Sequence, residues 1–213
     1  MFRFTICDAL RLTKRRDWRT GRTDDMRSFI ACLSPLALAL SLYVVDGCRV
    51  ETAYSRNRVA NRCAELSNRL RNNANDEQAL NELVTTMKGN SSFARVHAAI
   101  GLGNAGPNAM RAIQDLISAM GSDDGTLRRE AVVAVGKVSK GSPVAVDPLI
   151  NMLDHPSLSP YFTAQALAVI GAPAEKAIGP LRRLAERSTD ATDVRAANKA
   201  IEEIEAAVKK ATD

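Results

Sequence analysis

Residues 107–141, PNAMRAIQDLISAMGSDDGTLRREAVVAVGKVSKG, contain two amphipathic patterns separated by one break. Ile113, Leu116 and Met120 recur at three- and four-residue spacing, which marks one face of a helix. Gly121-Ser122-Asp123-Asp124-Gly125 then stops that helix, because two glycines and turn-forming Ser and Asp lie together. Ala131, Ala134, Val135 and Val138 form a second apolar stripe, and Gly141 follows where a left-handed cap meets no side-chain clash. The stretch reads as a helical hairpin.

The hairpin is repeated. In the first helix Leu80, Ile113, Val146 and Ile178 follow at intervals of 33, 33 and 32 residues. Leu83, Leu116, Leu149 and Leu181 keep step with them, as do Met87, Met120, Leu153 and Ala185. In the second helix Ala98, Ala131, Ala166 and Ala197 are spaced by 33, 35 and 31, and Leu102, Val135, Ile170 and Ile201 move with them. One such hairpin cannot bury its apolar face alone, so several must stack into a continuous core. The expected fold is all-α, an α-solenoid of about four hairpins.

The second helices carry a further signature. One copy reads Ala94-Arg95-x-x-Ala98-x-x-Gly101-Leu102-Gly103, and the next reads Leu127-Arg128-x-x-Ala131-x-x-Ala134-Val135-Gly136. The third keeps Ala166, Ile170 and Gly171 but has Thr163 in place of the arginine. The fourth has Arg195 one position late and no glycine after Ile201. From about Asn73 to Ala207 the pattern resembles the short, armadillo-like HEAT repeats also found in bilin-lyase relatives. That resemblance implies a solenoid but hardly constrains function, since such scaffolds serve many unrelated partners.

Ahead of the repeats, residues 48–72 suggest one more helix with Val59, Cys63, Leu66 and Leu70 as its apolar stripe, placed to cover the open end of the stack. Asn75 with Gln78 reads as a capping box for the next helix. Pro107, Pro148 and Pro180 fall in first turns, where a missing N–H does no harm. Gly103, Gly136 and Gly171 weaken helix propensity, so they are expected to mark close helix-to-helix approach. Asp123, Asp124, Asp190 and Asp193 read as helix-start and turn residues rather than as a calcium site.

The N-terminal quarter has a different character. Residues 1–25 are rich in Arg, Asp and Thr, without a sustained period. Two readings stand: a long basic start to an export signal, or an extension ahead of a true start at Met26. Residues 26–47 then offer Arg27 and an uncharged apolar run from Phe29 to Val45, short for a bilayer span and suited to a signal peptide. An uncleaved anchor is the second reading. Val45-Asp46-Gly47-Cys48 resembles the bacterial lipobox, although Asp46 stands where a small neutral residue is usual. That resemblance implies diacylglycerol on the Cys48 thiol, cleavage after Gly47, and a mature protein anchored on the extracytoplasmic, periplasm-facing side of a bacterial envelope. Residues 73–213 would form the repeat domain.

Charge and composition narrow the function. The net charge is +5, but from Cys48 onward there are 21 Lys and Arg against 19 Asp and Glu, which leaves +2. A nucleic-acid groove would show a concentrated basic stripe, so no nucleic-acid partner is expected. The four cysteines, Cys7, Cys32, Cys48 and Cys63, form no CxxC pair and no disulfide framework, and Cys63 reads as a small buried hydrophobe. Only His97 and His155 are present, with no metal-ligand spacing, no His-Glu pair and no nucleophile elbow or phosphate loop. No cofactor, metal, catalytic residue or small-molecule substrate is expected.

The remaining expectation is recognition of another protein by surface. Second helices of stacked hairpins should line a concave face and present Arg95, Arg128, Arg129, Gln165 and Arg195. Tyr161 and Phe162 stand beside a second-helix start, as peptide anchors or as core. The expected function is therefore a non-catalytic, lipid-anchored scaffold. The alternative is a bilin-lyase-like or regulatory HEAT-repeat protein of the cytoplasm.

Overall fold

The computed structural model describes residues 55–212. The expectations for the 1–25 extension, the 26–47 signal and Cys48 lie outside the described residues, as does the first part of the 48–72 helix. Helix α1 covers residues 55–72. Four hairpins follow: α2 (Glu77–Met87) with α3 (Ser92–Ala105), and α4 (Ile113–Met120) with α5 (Gly125–Val138). The third and fourth are α6 (Val146–Met152) with α7 (Pro160–Ile170), and α8 (Ile178–Arg187) with α9 (Ala191–Thr212). Second helices stack in sequence, α3 on α5, α5 on α7 and α7 on α9, while each first helix packs against its own partner. The repeat domain is an all-α solenoid.

The repeated apolar positions build its core. Leu83, Leu116, Leu149 and Leu181 are completely buried, one from each first helix, and Ala98, Ala131 and Ala197 match them in the second helices. Ile178, Ala185 and Ile201 of the last hairpin are only partly buried against that core. At the other end α1 buries Cys63, Leu66 and Leu70. Its Arg62 donates from Nε and Nη2 to both Glu82 carboxylate oxygens at 2.7 Å, a two-pronged pair that favours the charged form of each group. Asn108 Nδ2 donates to the Leu70 and Arg71 carbonyls and so caps α1 from the second hairpin.

Backbone punctuation mostly follows from local chemistry. Ser91, Asp124 and Ser159 cap the N-termini of α3, α5 and α7 through side-chain oxygens. Two of these caps are tied to a neighbouring helix start: Ser92 Oγ donates to the Asp124 carboxylate, and Ser159 Oγ donates to Asp193 Oδ1 at 3.0 Å. The Ser92 hydroxyl and the Leu127 N–H lower the Asp124 pKa, and the Thr192 N–H does the same for Asp190. The cap of α2 is Asp76, not Asn75. Its carboxylate accepts from Ala79 N at 2.9 Å and from Arg69 Nε at 2.8 Å, so the ionised residue offers more than an amide would.

Three 3-10 segments, Gly106–Ala112, Pro143–Ala145 and Ala172–Ala177, lead into α4, α6 and α8, a tightening that three- and four-residue spacing does not reveal. The glycines divide into two kinds. A β-carbon on Gly103 would lie 2.9 Å from Ala134 Cα, so this glycine does mark close approach of α3 to α5. Gly136 does the same for α5 and α7. Gly171 does not: it follows the last residue of α7 at φ +80°, and its nearest neighbour for a β-carbon is Ala207 at 3.7 Å. Helix α7 stops a few residues sooner than α3 and α5, which turns the same letter from a packing residue into a cap.

Candidate functional site

The five polar residues expected on the second helices separate into two groups. Arg95 and Arg128 turn back into the loops. Arg95 Nε donates to the Met87 carbonyl at 3.2 Å, and Nη2 makes a long contact of 3.5 Å to Ser122 Oγ. Arg128 is only 8% exposed; Nε donates to Ser122 O at 3.1 Å and Nη1 to Ser157 O at 3.2 Å. Met87 ends α2, and Ser122 lies just beyond the end of α4, where helix dipoles favour a cation. Both arginines therefore tie the turn of one hairpin to its neighbour, and Arg128 is withdrawn from any surface that a partner would touch.

At the third hairpin the tie is missing. Thr163 holds the equivalent position, is fully buried, and its hydroxyl has no hydrogen-bond partner. Ser139 Oγ is orphaned in the same way.

Arg129, Gln165 and Arg195 come together instead. One residue along a helix is a rotation of about 100°, so Arg129 leaves the face that Arg128 occupies. Ala164, the residue after Thr163, holds the position on α7 that Arg129 and Arg195 hold on α5 and α9, and Phe162 precedes it by two residues. The Arg129 guanidinium sits 5.6 Å from the Phe162 ring centroid, within cation–π range, and also pairs with Glu130 at 3.1 Å. Gln165 Nε2 donates to Tyr161 Oη at 2.8 Å, and Tyr161 meets Phe162 edge-on with centroids 5.3 Å apart.

Tyr161, Phe162, Gln165 and Arg195 line a groove of about 420 Å³ on the exposed side of α5, α7 and α9, and Arg129 meets it only through Phe162. Its floor includes Phe162, Ala166 and Ala200, and Val169 there is 41% exposed, one of two large hydrophobic residues so exposed among the described residues. Lys137, Arg195 and Lys199 stand around it with Glu203. Glycine–alanine contacts draw α3 to α5 and α5 to α7, and α7 itself contains no glycine. Lys137, Val169 and Lys199 were not singled out in the sequence, although Tyr161-Gln165-Val169 and Arg195-Lys199 run at four-residue spacing along one helix face.

Residues 80–168 match the family model for HEAT repeats. These repeats are HEAT-like. The matched segment takes in most of the first three hairpins, α2 to α7, which contain both arginine ties and both glycine contacts. HEAT repeats commonly act as protein-interaction scaffolds, in keeping with a groove of exposed aromatic and arginine side chains. No curated protein matches the chain.

Other candidate chemistry is sparse among the described residues. No three of His, Cys, Asp and Glu converge on a metal-sized site. His97 is half-buried against Phe93 with ring centroids 4.2 Å apart, and His155 Nδ1 accepts from Ser157 N inside its turn. Burial raises the pKa of the Cys63 thiol, and the Glu82 charge adds to the effect, so the thiolate is disfavoured. No described helix is long and apolar enough to cross a membrane.

Proposed function

We propose that this HEAT-like chain is a non-catalytic interaction scaffold, exported and held at the extracytoplasmic face of a bacterial membrane by lipid on Cys48. It captures a partner protein on the second-helix face of its last three hairpins, using Gln165 and Arg195 in the groove and Arg129 beside Phe162. The observation that carries this reading is the groove over α5, α7 and α9, where Tyr161, Phe162 and Val169 remain accessible beside arginines. Arginine and tyrosine are the residue types that dominate interface energetics when they surround an apolar centre.

The anchoring half of the reading is supported by the order of Arg27, the apolar run to Val45, and Gly47-Cys48. Diacylglycerol would supply two acyl chains, which is what durable attachment needs, since a single chain binds only marginally. Cys63 is buried in α1 and does not compete for modification.

The test is the intact mass of protein recovered from membranes, beside a Cys48→Ser version. A species beginning at Cys48 with added acyl mass, absent from the substituted protein, supports the anchored scaffold. Full-length, unmodified protein in the soluble fraction would remove the anchor and return the scaffold to the cytoplasm.

A further inference from the structure

The groove over α5, α7 and α9 has an apolar floor and a rim of one dominant sign. Lys137, Arg195 and Lys199 line it against the single carboxylate of Glu203. Lys199 and Glu203 approach only to 3.7 Å, and their side chains are 73% and 50% exposed, so water and salt leave little of that pair's attraction. Lys137 contacts the neutral Asn104 amide oxygen at 3.4 Å. Arg195 donates from Nε to Ala191 O, and its two Nη groups make no hydrogen bond among the described residues. These two rim cations are held in place without a carboxylate bonded to either of them.

The floor asks for something different. Val169 and the faces of Tyr161 and Phe162 leave apolar surface in contact with water, and covering it returns about 25 cal/mol for each Å². The Tyr161–Gln165 pair adds a polar edge. Gln165 donates to Tyr161 Oη, which leaves its amide oxygen to accept a peptide N–H and the phenol hydrogen to donate to a carbonyl.

Resting on the scaffold reading above, we propose that the partner is recognised through a short acidic segment. One large apolar side chain covers Val169, flanking Asp or Glu carboxylates pair with Arg195, Lys199 and Lys137, and the segment's backbone meets the Tyr161–Gln165 edge. Arg195 suits this role because its planar fork engages a carboxylate through two parallel bonds. A nucleic-acid strand fits less well. Its phosphates would need a continuous basic track, and the rim here is a cluster of three cations around an apolar centre.

The test is selection of a random peptide library on the full-length chain in detergent. Enriched peptides are then synthesised, labelled, and titrated by fluorescence polarisation against wild type and the Arg195→Glu/Lys199→Glu double variant. The expected peptides place acidic residues around one aromatic or aliphatic residue. Their affinity falls at least about tenfold in the double variant, whose helical circular dichroism is unchanged, and it weakens as salt is raised. Peptides without carboxylates, binding that ignores the double variant, or no enriched peptide at all would overturn the acidic-segment proposal. So would tighter binding of a labelled oligothymidine than of any selected peptide. These results leave the scaffold reading standing, because capture of a native partner is read independently by crosslinking from the groove.

Discussion

A β-carbon on Gly136 would stand 2.7 Å from the Cα of Ala166 and 2.8 Å from its carbonyl oxygen. Both obstacles are backbone, so neither can swing aside. In an isolated helix Gly→Ala is favourable by close to 1 kcal/mol, but here α5 and α7 would have to separate. Gly136→Ala is therefore expected to destabilise by about 1–3 kcal/mol, the cost of overpacking a filled interface. Gly179→Ala is the control. Its new methyl meets only the flexible end of Arg183 at 3.7 Å, so stability should rise by a few tenths up to about 1 kcal/mol. Thermal or denaturant unfolding of both variants checks the sign.

Arg128 and Arg129 are adjacent in sequence and opposite in consequence. Removing the Arg128 guanidinium leaves Ser122 O and Ser157 O without their donor and strips a tie between the second and third hairpins. Hydrogen bonds to charged groups contribute roughly 1.5–3 kcal/mol each, so Arg128→Met should cost about 2–4 kcal/mol and raise hydrogen exchange in residues 153–159. Arg129→Met loses a part-buried ion pair between adjacent residues and one ring contact, and its stability should change by no more than about 1 kcal/mol.

Thr163 buries a hydroxyl that nothing satisfies. Replacement by valine keeps the branched shape and removes the stranded polar group, which is otherwise a penalty of about 1–3 kcal/mol. Thr163→Val should therefore be neutral or stabilising, in contrast to most core substitutions. Loss of more than about 1 kcal/mol on unfolding would mean that the hydroxyl has an unrecognised role.

Much of the solenoid is legible from spacing alone. Leu83, Leu116, Leu149 and Leu181 recur in step, and the structure buries all four, because a residue repeated at one hairpin interval must face the same core. The glycine contacts at Gly103 and Gly136 are also visible, since a glycine inside a helix needs a packing reason. Gly171 carries the same signal and a different role, because where α7 ends depends on tertiary packing. Arg95 and Arg128 mislead for another reason. A helical face locates the Cα but not the end of a long side chain, and the guanidinium groups fold back to the Met87 carbonyl at the end of α2 and to the Ser122 loop carbonyl. The lateness of Arg195 by one position, plain in the sequence, is what turns it toward the groove beside Phe162. The groove itself is not legible, since it depends on how α5, α7 and α9 lie side by side.

The central claim is that the second-helix face of the last three hairpins captures a partner. The direct measurement is site-specific photo-crosslinking in cells, with a photoreactive amino acid at Gln165 in the groove and, separately, at exposed Gln114 on first helix α4. A defined protein adduct from position 165, absent from position 114 and lost when Arg195→Glu and Lys199→Glu are added, is the predicted result. Equal adducts from both positions, or an adduct from 114 alone, would contradict it.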